Sequence, residues 1–212
     1  MDVRTLLINQ HALAHSGLAI PGALQAVLWN TGKPINDAAW GRVTEEQARL
    51  EEPGHNSISW VLWHLARAED MGVNAVVRGV PEVFDRDGWI ERLRVRRRDV
   101  GTGWTAADTA ELSAAIDLEQ LRAYRDAVGK ETLTWLQQAD LSILDEQVEE
   151  GVRSGFSQDF TPLGAERIWP LFAANTKAWA FVRLAVWHSY FHLFEAGHLM
   201  QRAGINVIAP GP

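Results

Sequence analysis

The sequence predicts an all-α protein: a four-helix bundle with a long crossover connection between its second and third helices. Three observations carry this expectation. Four long segments space their apolar residues by three and four, which puts them on one helix face. No stretch of comparable strength alternates with the two-residue period of a half-buried strand. Clusters of Gly and Pro, rather than Pro- or Ser-rich linkers, separate the segments, so residues 1–212 are expected to form one domain.

The first segment runs from about Val3 to Asn30 and is expected to break near Gly17 to Pro21, where proline removes an amide donor and disfavours helix in the residue before it. The second starts after Pro53-Gly54-His55-Asn56-Ser57, with Asn56 or Ser57 as cap. It continues through Ile58, Val61, Leu62, Leu65, Val73 and Val76 to about Arg78. The third opens at Asp117, whose carboxylate can cap while Gln120 takes the capping-box position, and Gly129 weakens it without ending it. The fourth spans about Asn175 to Arg202 and stops at Gly204. Between about Gly79 and Ile116 the connection is too long for a turn, so it is expected to cross the bundle, carry short helical pieces and supply a pocket wall. Thr161 to Gly164 is read as a further break.

Composition removes several function classes. A net charge of -7 leaves no basic field for a phosphate backbone, so nucleic acid is not an expected partner. Arg92, Arg94, Arg96, Arg97 and Arg98 form a local exception, which reads first as a solvated helix face and second as a grip for an anion. With no cysteine there are no disulfides, thiolate ligands or thiol nucleophiles, and any metal must be held by His, Asp or Glu. Neither a signal-peptide core nor a run of about 20 apolar residues is present, so a cytoplasmic protein without membrane spans is expected.

His188 and His192 stand four apart on the fourth segment, where two imidazoles share a face and can converge on one ion. His64 is the best third donor, because its neighbours Trp60, Val61, Ala68 and Met71 describe a buried stripe. Three neutral imidazoles leave the charge of a divalent ion uncancelled and a coordination position open, as in a catalytic site. Glu195 lies three residues after His192 and is the candidate catalytic group. Orienting a ligand histidine is its first role, with proton acceptor and direct ligand as alternatives. His11 and His15 repeat the same spacing, so spacing alone leaves the choice of pair open. His198 is expected to flank the site, and His55 to serve as a cap or loop contact. Of the ten tryptophans, Trp60, Trp63, Trp179 and Trp187 fall on the helices that carry the proposed ligands; most are expected in the core, with one or two lining the cavity.

Residues 55–79, with Trp60, His64, Leu65, Glu69 and Asp70, resemble the second helix of the DinB-like (YfiT-like) metal-binding family. The last helix is similar to that family's ending, with His188, His192 and Glu195 in matching places and Phe194 where glycine is usual, a departure expected to alter the pocket's shape. The segment from Val100 to Thr105, before Asp117 and Tyr124, also resembles a subset of these proteins. The resemblance implies a four-helix bundle, a three-histidine site for nickel, zinc or iron, and a homodimer. On that basis the chain is expected to act on a small molecule as a metal-dependent hydrolase, or as a transferase or isomerase using a low-molecular-weight thiol. In the second case Arg97 or Arg98 would meet the cofactor's carboxylate. A non-catalytic sensor or carrier of metal or a small molecule is the alternative.

Overall fold

The computed structural model describes residues 2–15, 43–150 and 162–205. Among these residues the chain is helical, and its only pairing of extended backbone is an isolated antiparallel bridge between Gln147 and Thr176. Helix α1 (Val3–Leu13) is capped by Asp2, whose side chain accepts from the Thr5 amide. The expected continuation to Asn30, with its break near Gly17, lies outside the described residues.

A short helix α2 (Glu45–Arg49) carries a complete capping box between Thr44 and Gln47. Helix α3 (Ile58–Asp70) starts at Ser57, the side chain of which accepts from the Trp60 amide, and every residue of α3 is buried. Its rod continues to Arg78 as expected, but Met71–Arg78 is π-helical, and Gly79 closes it in the left-handed region at φ 66. The crossover does carry short helical pieces: a 3₁₀ turn at Val83–Asp85, α4 (Trp89–Leu93) and α5 (Ala106–Ala115). Asp117 caps α6 (Leu118–Gln138), and Gly129 sits within it.

The expected break at Thr161 to Gly164 is instead where α7 (Pro162–Phe172) begins. Proline suits the first turn of a helix, where its missing amide hydrogen has no partner to lose. The fourth rod is α8 (Lys177–Phe181), a π-helical turn at Val182–Trp187, and α9 (His188–Arg202), with Gly204 beyond it at φ 78.

Helix α3 is the centre of the bundle. It packs on α9 and on α6, and α6 packs on α1. The two π-helical segments face each other, and Gly72 makes this possible: a Cβ there would lie 2.2 Å from Leu184 Cδ1. The crossover is bound to α3 by charge. The Asp70 carboxylate accepts from the Val83 and Phe84 amides at 2.8 Å each and from the Tyr124 hydroxyl at 2.6 Å. Arg67 pairs with Glu82 at 2.6 Å and donates through Nε to the Arg98 carbonyl at 3.0 Å. Buried charges of this kind persist when paired or hydrogen-bonded: Asp70 and Arg67 have both kinds of partner, and Glu82 is paired with Arg67.

Candidate metal centre

His64 on α3 meets His188 and His192 on α9. Ring centroids are 4.9 Å apart for His64 and His188, 4.5 Å for His64 and His192, and 4.4 Å for His188 and His192. Candidate ligand nitrogens of the three lie within 4.8 Å of one another. Bonds of about 2.1 Å to a shared ion would close that span with small ring movements. His64 and His188 are buried, and His192 stands at the rim.

Their remaining nitrogens decide how the rings present themselves. His64 Nδ1–H donates to the Val100 carbonyl, which leaves the Nε2 lone pair facing the other two rings. His192 Nδ1–H donates to Glu195 Oε2 at 2.7 Å, with the same consequence. Such partners set the tautomer and orientation of metal-binding histidines. His188 Nδ1 is buried without a partner. Burial, reinforced by the His192 charge, pushes His64 down to about 3, and burial with the neighbouring imidazoles holds His188 well below the ordinary value. Basic nitrogens kept neutral and shut from water, one of them orphaned, suit a divalent ion of the zinc, nickel or iron type.

Val100 owes its position to a clamp in the crossover. Asp99 accepts from the Gly101 amide and from Trp104 Nε1, both at 3.0 Å. Gly101 has φ 80 and lies against the faces of two tryptophans: a Cβ there would be 3.0 Å from Trp60 and from Trp63. Trp60 in turn stacks on His64 at 4.6 Å. Gly101→Ala is therefore expected to displace the Val100 carbonyl and the His64 ring, lowering zinc affinity about 10-fold or more. Competition with a chromogenic chelator measures this, and unchanged affinity would show that the clamp does not set the ring.

The second H-x-x-x-H pair forms a separate cluster. His11 Nε2 and His15 Nε2 lie 2.7 and 2.8 Å from the two carboxylate oxygens of Glu69, which also accepts from Arg125 at 2.5 Å and from Thr132 at 3.0 Å. All five side chains are buried. Gly129 leaves the room for His15, since a Cβ there would be 2.3 Å from Nδ1. His11, His15 and Glu69 also have metal-ligand proximity. Here, however, the carboxylate already neutralises a guanidinium, and both facing nitrogens are engaged with its oxygens. An ion would sit beside Arg125 and be repelled by it. Among the described residues the three-histidine cluster has no such cation bonded to its members, which makes it the better candidate for a metal.

Burial alone would raise Glu69, but the charges of His15, Arg125 and His11 outweigh it and hold the carboxyl well below its usual range. Burial, then the Arg125 charge, depresses His15. For His15 and for His64 the unfolded chain takes up protons at a higher pH than the folded one. Their stabilisation is complete above about 6.5 and is lost as pH falls toward about 3. Glu69 acts with the same sign below about 4.5. The urea midpoint of chelator-treated protein is expected to fall steadily from pH 7 to pH 4; a flat midpoint would mean the buried imidazoles are hydrated.

Arg97 and Arg98 stay on the crossover, paired with Asp108 and Asp85 at 2.6 Å each. Phe194 is 58% exposed, so its ring is turned away from the space between the histidines. His198 and His55 lie beside each other, with ring centroids 6.1 Å apart. Sequence reasoning missed Arg125 and Thr132, which carry no local signal, and Val100, whose contribution is a backbone carbonyl.

The family model described as the DinB superfamily matches residues 35–196. A solved structure titled as the conserved protein of locus from Enterococcus faecalis is similar to this chain, with 17% sequence identity and a TM-score of 0.63. The match covers 95% of this chain and 96% of that one. That likeness concerns the fold. No curated protein matches the sequence. Among the described residues no helix is long and apolar enough to cross a membrane.

Proposed function

Because the chain belongs to the DinB superfamily, we propose that His64, His188 and His192 hold one divalent ion, nickel, zinc or iron, in a metal-dependent enzyme acting on a small molecule. The observation that carries this reading is the convergence of three imidazoles, two buried and one at the rim, two of them oriented through their far nitrogens, with no carboxylate bonded into the ring among the described residues except Glu195 behind His192. A bound ion would supply Lewis acidity, lowering the pKa of a water or thiol in the open position. The chain's own residues do the rest. Val100 and Glu195 hold two imidazoles in the tautomer that presents Nε2. Burial of His64 and His188 keeps both rings neutral and ready to bind. Glu195 Oε2, at the partly exposed rim, accepts from His192 Nδ1–H and so acts on the site by holding that ring.

Two reaction classes fit: hydrolysis by an activated water, and transfer or isomerisation with a low-molecular-weight thiol as the attacking group. Homodimer formation belongs to the same reading. It is supported by the apolar stripe of Trp187 and Phe191, 52% and 56% exposed and stacked at 5.7 Å on the outer face of the ligand helix.

Metal analysis of protein purified without an affinity tag, followed by assay of the loaded form against activated esters and thiol conjugates, tests the proposal. One equivalent of metal with turnover that His64→Ala abolishes is the expected result. Metal without turnover would favour a binding protein, and absence of metal affinity would remove the reading.

A further inference from the structure

Arg183 stands out among the cations near the three histidines. Among the described residues it shows no hydrogen bond or ion pair to an acidic side chain. Its Nη1 is shut off from solvent without a partner, although the residue as a whole is partly exposed. Its guanidinium carbon lies 4.1 Å over the Trp187 ring, which fixes the plane of the group. An unpartnered buried guanidinium nitrogen is costly, and a planar fork held against an aromatic face is organised for a carboxylate.

The backbone turns this residue toward the side of the rod that carries His188. In a regular α-helix, residues five apart are separated by about 140° of rotation, so Arg183 and His188 would face different directions. Here Val182–Trp187 is π-helical, and the His188 amide donates to the Arg183 carbonyl five residues back. That bond closes a wider turn, which rotates residue 183 toward the side of the rod that carries His188, so that it lies between the directions of Trp187 and His188. His192 follows His188 one α-helical turn below. In keeping with this, the Arg183 charge contributes to the depression of His188, after burial and the other two imidazoles. A π-turn inside an α-helix commonly marks a functional position, and this one has a definite geometric consequence.

We infer that Arg183 is the anion-binding residue of the metal centre: it receives the carboxylate of a small ligand whose metal-binding atom occupies the open position between His64, His188 and His192. This rests on the metal reading above and adds the substrate class, an acid of a few carbon atoms bearing a thiol, hydroxyl or carbonyl group. Charge favours it as well. Three neutral imidazoles leave a divalent ion's charge uncancelled, Arg183 adds another positive charge, and Glu195 is occupied by His192. Arg97 and Arg98, the cations the sequence pointed to, already have acidic partners.

The test uses the full chain loaded with cobalt(II), whose absorption changes when a thiolate binds. Two probes are titrated: 3-mercaptopropionate, which has a carboxylate, and 2-mercaptoethanol, which has none. For each probe the ratio of variant to unmodified affinity is taken, so that differences in thiol acidity cancel. Arg183→Gln is expected to weaken 3-mercaptopropionate by about 10- to 100-fold, to leave 2-mercaptoethanol within about 2-fold, and not to reduce cobalt affinity. Arg183→Lys, which keeps the charge and loses the fork, is expected to fall between. Equal effects on both probes, or none on either, would overturn the carboxylate assignment while the cobalt spectrum still upheld the metal site. Loss of the cobalt spectrum in the unmodified protein would remove the metal reading and this inference together.

Discussion

His192→Ala lowers zinc affinity by more than about 100-fold, beyond the 10- to 100-fold cost of removing a group that merely orients a ligand, and leaves the helical content unchanged. The two halves of this expectation have separate physical causes. Two imidazoles cannot replace the third donor, and no carboxylate is placed to substitute for it, since Glu195 reaches the site only through His192. The fold does not depend on the ion, because a chain of 212 residues buries its own apolar clusters along α3, α6 and α9. His192 is also the least buried of the three, so truncation leaves a gap at the rim rather than a cavity in the core. Equilibrium dialysis against zinc with parallel circular dichroism measures both. Undiminished zinc affinity would move the metal elsewhere, and unfolding of the metal-free variant would mean the ion is part of the fold.

Glu69→Ala has the larger effect on stability, a loss of about 3–5 kcal/mol, the usual consequence of leaving a buried charge without its partner. Four side chains converge on that carboxylate, and its removal strands Arg125, His11, His15 and Thr132 in a region without solvent. Urea denaturation gives the loss directly. If the variant does not fold, Glu69→Gln, which keeps the volume and one acceptor, gives a smaller loss of the same sign. The double replacement of Glu69 and Arg125 by methionine recovers much of it, because the uncompensated guanidinium is then gone. A loss below about 1 kcal/mol for Glu69→Ala would show that water or an ion supports the cluster. Metal stoichiometry sharpens the distinction: the Glu69 variants still take up one equivalent if the ion belongs to His64, His188 and His192.

These expectations separate what was legible from what was hidden. Ser57 and Asp117 cap their helices where the sequence indicated, since a cap is an interaction between residues three apart. The four-residue spacing of His188 and His192, and the apolar stripe around His64, likewise describe local geometry that any helix reproduces. The π-helical turns were not legible. Nothing in Val182–Trp187 departs from an ordinary helical pattern, and the wider turn arises where Leu184 packs against Gly72 of the facing rod.

What distinguishes the two candidate pairs is visible only in the tertiary structure. His11 and His15 have the same spacing as His188 and His192, so the sequence treats the two pairs alike. Their difference lies in what faces them. Glu69, 58 residues from His11 along the chain, arrives together with Arg125 and neutralises one cluster. His64 arrives with the Val100 carbonyl behind it and leaves the other open to an ion. The sequence by itself determined the helical class, the Ser57 and Asp117 caps, and His64 with two candidate histidine pairs, because period and spacing act within a turn or two. Charge compensation acts between residues that only folding brings together. The tertiary structure therefore decided which histidines are self-satisfied, which cations are already paired and where the guanidinium of Arg183, stacked on Trp187 with Nη1 lacking a hydrogen bond, stands.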